Sequence, residues 1–454
     1  MGHRGYGVRH MIGASGLASV DTVVYVFFIT MSIGLVSLLI SQKTNISYIP
    51  LFIFFGILIG PILNIVNRNL AHVLFDYVRV FGLVMILFTE GHNLSLFLLK
   101  KRLGTVLTLD TIGLLVTALL SGAFFSWVFH APFVVGFLFG AIISATDPAT
   151  LIPLFRQHRV RQDIETIIVT ESIFNDPLGI VLTSVAIALL VPQAPSAQIL
   201  ERIAGYIGIY PAAVVFFLYQ MLVSIAIGIG VGILGYWILK KAGVMDFPDV
   251  VIFSLSLAFG GFLLGELAHA SGYLVATVTG IVLGNHKIFF KEDLKTARWI
   301  IRAVEKEVHF NESLATIATI LIFTLLGASI NLSVIEDYLW RGIALALAII
   351  LVARPISALP ILKWHDFREY LFISLEGPRG VVPSALASLP LTLGITYNNV
   401  QLIHWGEIIL GVTIITVLTT VIVETLWVPI LREKLLTVRD IVKEFEEAGY
   451  KPAS

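Results

Sequence analysis

The chain has 454 residues, 57% of them hydrophobic and 13% charged, whereas soluble domains carry about 25% charged residues. It is therefore a multi-span membrane protein and not a soluble enzyme or scaffold. Thirty basic and thirty acidic residues cancel, so net charge points to no nucleic-acid or acidic partner, and with no cysteine there is no disulfide or thiolate metal site.

Residues 1–20 read as an N-terminal extracellular segment, basic at "MGHRGYGVRH" and without a small-residue cleavage site. A helix that crosses the hydrocarbon needs about 20 mostly apolar residues. By that rule thirteen spans follow in a transmembrane region over 21–432. The first six cover 21–41, 48–66, 73–98, 104–129, 132–155 and 163–191, and a seventh covers 210–239. The last six cover 247–268, 272–289, 308–332, 339–361, 367–394 and 402–431. With the N-terminus outside, the inner loops and tail collect 22 Lys and Arg against six in the outer ones. Cytoplasmic loops are the basic ones, so an odd span count with a cytoplasmic C-terminus is expected. Residues 433–454 then form a short cytoplasmic tail, a solvated end or a short amphipathic helix over 433–449.

The thirteen spans divide as six, one, six. Span 5 carries "ISATDPAT" with Pro148, and span 12 carries "LEGPRGVVPS" with Pro378. Proline lacks an N–H and clashes with the carbonyl four residues back, so both helices should break or kink there. Interrupted spans at matching places in two halves mark the substrate site of secondary transporters. The expected fold is an all-α integral membrane protein of two inverted six-helix repeats, with spans 5 and 12 broken and crossing. The halves show no residue-level self-similarity, so the repeat rests on topology.

Ionisable residues inside spans are costly and usually functional. Here they are Glu90 in span 3, Asp147 in span 5, Glu171 and Asp176 in span 6, Arg354 in span 11 and Arg379 at the break of span 12. In span 6, Ser172 and Asp176 share one face, as do Glu171 and Asn175. Pro177 and Pro148 leave the carbonyls of Ile173 and Ser144 without a helical donor, so each aspartate sits beside freed carbonyls. Carboxylate, hydroxyl and carbonyl oxygens suit a hard cation. Burial and a neighbouring acid both favour the neutral form of a carboxyl, and a bound cation favours the ionised form. Cation and proton therefore compete for Asp176, which gives obligatory exchange without ATP. Arg354 and Glu171 read as a structural pair that holds span 11 against span 6. Arg379 neutralises helix ends or acids near the second break.

"ATDP" in span 5 and "ESIFNDP" in span 6 resemble the paired motifs of the monovalent cation/proton antiporter superfamily. The Asn175–Asp176 pair is similar to its Na+/H+ exchanger branch, nearest the archaeal and bacterial NhaP antiporters. "GELAHASGYLVATVTGIVLGN", "FNESLATIATILIFTLLGASI" and "GPRG" extend the resemblance over nearly the whole chain. It implies a homodimer in the cell membrane, with a core domain of spans 3–6 and 10–13 moving against a dimer domain of spans 1–2 and 7–9. It also implies that Asp176 carries the ion and the proton, and that Na+ (or Li+) is held by Asp176, Asp147, Ser172, Glu90 and the carbonyl of Thr146. Asn175 would tie span 6 to the Thr146 region, Glu171 and Arg354 would form the structural pair, and exchange would be one-for-one. No cofactor is expected beyond the transported ions, and the partners are lipids and a second copy.

A K+/H+ antiporter of the same fold remains an alternative, since cavity size and ligand number decide between the two ions. A cation channel is disfavoured by the absence of a re-entrant filter. A membrane hydrolase that uses Asp147 and Asp176 is disfavoured by the prolines that follow both. Asp110 reads as a funnel or interface acid, and Glu266 and His269 as interfacial. Glu407 and Glu424 read as facing protein or water, and the glycines of "IGIGVGILG" as close helix packing.

Overall fold

A computed structural model describes residues 20–44, 47–242, 247–289 and 294–436. The extracellular segment expected over 1–20 lies outside the described residues except for Val20, and the tail lies outside them from residue 437 onward. The main helices are α1 Val20–Thr44, α2 Tyr48–Ile62, α3 Arg68–Asn93, α4 Leu103–Phe129, α5 Phe133–Ile143, α6 Pro148–His158 and α7 Gln162–Leu190. They continue with α8 Pro195–Ile207, α9 Ile209–Ala242, α10 Phe247–Leu267, α11 Gly272–Gly284 and α12 Leu294–Ser329. The last four are α13 Leu332–Lys363, α14 Phe367–Leu375, α15 Val381–Thr396 and α16 Val400–Leu435.

Every expected span falls on one of these helices, or on a broken pair of them. Among the described residues, nine helices are long and apolar enough to cross a membrane. The pair α5–α6, bent by 45°, makes a tenth. The apolar helices α2, α11 and α15 are shorter, so length supports nine or ten crossings and not the full thirteen. Two features differ from expectation. Helix α12 begins at Leu294, fourteen residues before the expected start, because the charged stretch "KTARWIIRAVEKEV" continues the helix beyond its apolar part. Helix α8 lies between the expected spans 6 and 7. Its apolar positions are too few for a span, and it forms an amphipathic helix beginning at Pro195.

Helix ends in a bilayer must satisfy their own N–H groups. Ser47, Asn67, Ser271, Asp366 and Asn399 do this, each accepting a backbone N–H of the helix it precedes. Small residues bring helices together elsewhere. A Cβ on Gly280 of α11 would stand 2.2 Å from the Phe88 carbonyl of α3, and one on Gly91 of α3 would stand 2.3 Å from the Thr277 carbonyl. Of the glycines of "IGIGVGILG", Gly228 and Gly232 of α9 pack against Val278 and Val282 of α11 and Gly235 against Leu257 of α10, while Gly230 faces open space. Helix α4 contains a π-helical turn over Leu109–Gly113, and α13 contains one over Ile349–Ala353.

Candidate functional site

The two breaks meet. Helix α5 ends at Ile143, and α6 starts at Pro148. The interruption therefore precedes the proline, which occupies the first helical position where its missing N–H costs nothing. The partner break lies between Leu375 and Val381. The Asp147 N–H donates to the Pro378 carbonyl at 2.8 Å, so the interruptions are joined backbone to backbone. Arg379 crosses in the other direction. Its Nη1 donates to the carbonyls of Ser144 at 2.8 Å and Ala145 at 3.1 Å. Ser144 is the residue whose carbonyl Pro148 leaves without a helical donor, so the expected neutralising role of Arg379 takes the form of capping the first broken helix. Helix α16 supports the second break, where Glu424 Oε1 accepts the Gly377 N–H and Thr420 Oγ1 accepts the Arg379 N–H, both at 3.1 Å.

Helix α7 passes this crossing unbroken through Pro177. Asn175 Oδ1 accepts the Thr146 N–H at 3.0 Å, and its Nδ2 donates to Thr146 Oγ1 at 2.7 Å. Ser172 Oγ lies 2.8 Å from Thr146 Oγ1. Asn175 thus ties α7 to the first break through both of its amide atoms. Glu171 and Arg354 form the expected pair, with Nη1–Oε1 at 2.6 Å and Nη2–Oε2 at 2.7 Å. Both are buried, and this bidentate fork holds α13 against α7. Arg354 also donates to the Glu376 carbonyl.

Asp176 is 3% exposed, and no donor among the described residues hydrogen-bonds to its carboxylate. It lies within electrostatic reach of Glu90, Asp147 and Arg379. Asp147 turns Oδ2 to cap α6, accepting the Thr150 N–H at 3.1 Å and its hydroxyl at 2.6 Å. Glu90 has Oε2 buried without a partner. The five expected ligand residues share this neighbourhood. The Thr146 and Ser172 hydroxyls bond each other, Asp147 is engaged as a cap, and no three acidic or histidine side chains among the described residues are placed to hold a metal ion. Gly380 allows the crossing, since a Cβ there would fall 2.2 Å from Asp147 Cβ.

A cavity of about 310 Å³ reaches Ile180, one turn beyond Asp176 on α7. Arg79 of α3, Gln220 of α9, Glu266 at the end of α10, His269 just after it and Leu386 of α15 also line it. Glu266 and His269, read as interfacial, are exposed at the end of α10 and also line this cavity. Two acids need correction. Asp110 is not a funnel or interface residue but is 3% exposed, turned inward in the π-helical turn with neither oxygen bonded. Glu376, inside "LEGPRG", is absent from the sequence-based set of buried charges, yet it is completely buried. The signal is present in the sequence, because an acid next to a mid-span break cannot reach water. Glu407 faces protein, as one of its two alternatives has it, and receives Arg68 Nη2 at 2.7 Å.

Two interrupted helices bonded at their breaks, with buried carboxylates at the crossing and a cavity one turn away, define a membrane secondary transporter. The chain belongs to the family described as sodium/hydrogen exchanger, transmembrane, whose model matches residues 28–434. It is 36% identical over 425 residues to Na(+)/H(+) antiporter 1 of Methanocaldococcus jannaschii, covering 87% of this chain and 92% of that one. Probable Na(+)/H(+) antiporter 2 of the same organism is 32% identical, with 87% and 93% covered. The solved structure of the sodium proton antiporter MjNhaP1 from M. jannaschii at pH 8 superposes with a TM-score of 0.76 at 33% identity, covering 92% of this chain and 99% of that one.

Proposed function

We propose that this protein exchanges Na+ for H+ across the membrane by alternating access, with cation and proton competing for Asp176. The observation that carries the reading is the placement of Asp176. It is buried beside the joined breaks, free of protein donors among the described residues, and one turn from a cavity. A carboxylate that the protein leaves unsatisfied must take its partner from outside, as a proton or a cation. To bind Na+, Ser172 would release the Thr146 hydroxyl and turn its own hydroxyl to the ion, with the Thr146 carbonyl, Asp147 and Glu90 as further oxygen donors. This chemistry needs no resident cofactor.

One-for-one exchange is supported by Asn175, a neutral side chain whose amide is fully used on Thr146. The M. jannaschii relatives named as Na+/H+ antiporters favour Na+ over K+ as the substrate. The core and dimer domains, homodimeric assembly, a place in the cell membrane with the N-terminus outside, and a role in pH homeostasis complete the proposal. In that orientation the cavity opens toward the outer face.

Sealed vesicles with an imposed pH gradient test it. Added Na+ should drive proton movement in the wild type and none in Asp176→Ala. Full exchange in that variant would sink the mechanism. Rates that change with clamped membrane potential would refute one-for-one stoichiometry, and stronger coupling to K+ than to Na+ would reassign the substrate.

A further inference from the structure

Behind the crossing lies a set of acids that the exchange reading does not use. Glu376 follows α14 and Glu424 belongs to α16, and both are 0% exposed. Glu424 Oε1 accepts the Gly377 N–H, which places its carboxyl at the peptide that follows Glu376. Its Oε2 and both carboxyl oxygens of Glu376 have no hydrogen-bond partner among the described residues. Three carboxyl oxygens are therefore shut away from water with no donor, where an ionised group is heavily penalised.

The surrounding charges decide how the acids are occupied. The groups facing the pair are Arg354 of α13 and Arg379 of the break itself. Glu171 and Asp176 of α7 and Asp110 of α4 act on those two arginines. Arg354 is matched by Glu171 in the bidentate fork. Glu376 and Asp110 have only this already matched Arg354 as a countercharge among the described residues, while Arg379 serves Glu424 and also Asp176. If Glu376 and Glu424 were both ionised, a net negative charge would be buried with no partner, even with Asp110 neutral. Buried charges are paired or neutralised, so at most one of the two acids is ionised.

We propose that Glu376 and Glu424 form a second proton-binding site, separate from Asp176. It holds at least one proton and keeps the Gly377 end of the break seated on α16. Its proton is not exchanged for Na+. It spares Arg379 for the Ser144 and Ala145 carbonyls and for Asp176. When alkaline conditions strip this proton, two like charges meet behind the Glu376–Gly377 peptide. The break then loosens from α16, and the joined Asp147 segment loosens with it.

Infrared spectroscopy of the purified, reconstituted protein tests this. A protonated carboxyl gives a C=O stretch that carboxylates lack and that shifts in D2O. In saturating Na+ the wild type should keep such a band, and Asp176→Asn should keep it too. The Glu376→Gln/Glu424→Gln variant should lose intensity there, while the amide carbonyl introduced at position 424 can still accept the Gly377 N–H. Exchange by that variant should also extend to higher pH than in the wild type, because amides cannot ionise. Unchanged band intensity in the variant overturns the proposal, and so does an unshifted alkaline limb. Should the double variant not fold, the wild type decides alone, since no carboxylic band in saturating Na+ overturns the proposal. Failure of the exchange reading is separate: it would appear as Na+ leaving the Asp176 contribution unchanged.

Discussion

Replacing Arg354 by Met should be among the most damaging single changes in the protein. The substitution removes both bonds to Glu171 and the donors to the Glu376 carbonyl. Breaking a buried ion pair costs about 3–5 kcal/mol, because the surviving charge is stranded. Glu171→Met should cost less. Arg354 retains Glu424 and Asp110 as acidic neighbours, whereas Glu171 without Arg354 has no comparable bidentate partner among the described residues. In Arg354→Met/Glu171→Met no charge is stranded, and the main loss is the orphaned Glu376 carbonyl, worth about 1–3 kcal/mol. The double-variant cycle should therefore show a coupling of at least about 2 kcal/mol. Unfolding from mixed detergent micelles measures it, with Na+ affinity followed in parallel. Additive losses would refute the pairing argument. Abolished Na+ binding in a well-folded double variant would refute the purely structural role of Glu171.

Gly380→Ala should shift the break, because its Cβ would fall 2.2 Å from Asp147 Cβ. Overpacking of this kind costs about 1–3 kcal/mol, and unfolding together with Na+ affinity should both report it. Asn175→Ala strips the acceptor from the buried Thr146 N–H. It should lose about 1–3 kcal/mol and slow exchange, and an unaltered exchange rate would mean that Asn175 does not set the position of the break. Competition at Asp176 fixes the sign of the pH effect. On the acid side, raising the pH by one unit should lower the apparent KM for Na+ by about tenfold, and a KM independent of pH in initial-rate assays would count against a shared carboxylate. Gly280→Leu should force α3 away from the Phe88–Gly280 contact, and a variant as stable as the wild type would contradict the close packing.

Much of the site is legible in the sequence because a bilayer leaves few alternatives. Pro148 and Pro378 each lie within a few residues of a break, although α7 continues unbroken through Pro177. An arginine and a glutamate in otherwise apolar spans each need a partner, so Glu171 and Arg354 can be matched without coordinates. What stays hidden is the direction in which each polar group turns. Asp147 has the composition of a ligand and also the position of an N-cap, and its Oδ2 serves the cap. Asp110 follows a lysine-rich stretch and so reads as lying near a surface, but the π-helical turn carries it inward. Glu424 lies in a 36-residue helix with almost no amphipathic asymmetry, so pattern alone assigns it no buried face. The early start of α12 is invisible to an apolar-run criterion that stops at the first cluster of charges.

The bond from the Asp147 N–H to the Pro378 carbonyl also bears on how this protein can tolerate sequence drift. Both of its atoms belong to the main chain, and every residue except proline supplies an N–H. No side-chain replacement deletes the bond directly, short of proline at position 147. Changes in the flanking helices can alter ion preference or rate while the joint itself persists. The vulnerable positions are the ones that admit the second strand of the crossing, Gly380 above all, where any added carbon meets Asp147. Libraries built to retune the transported ion should therefore keep Asp176, vary the other oxygen donors and leave that glycine alone.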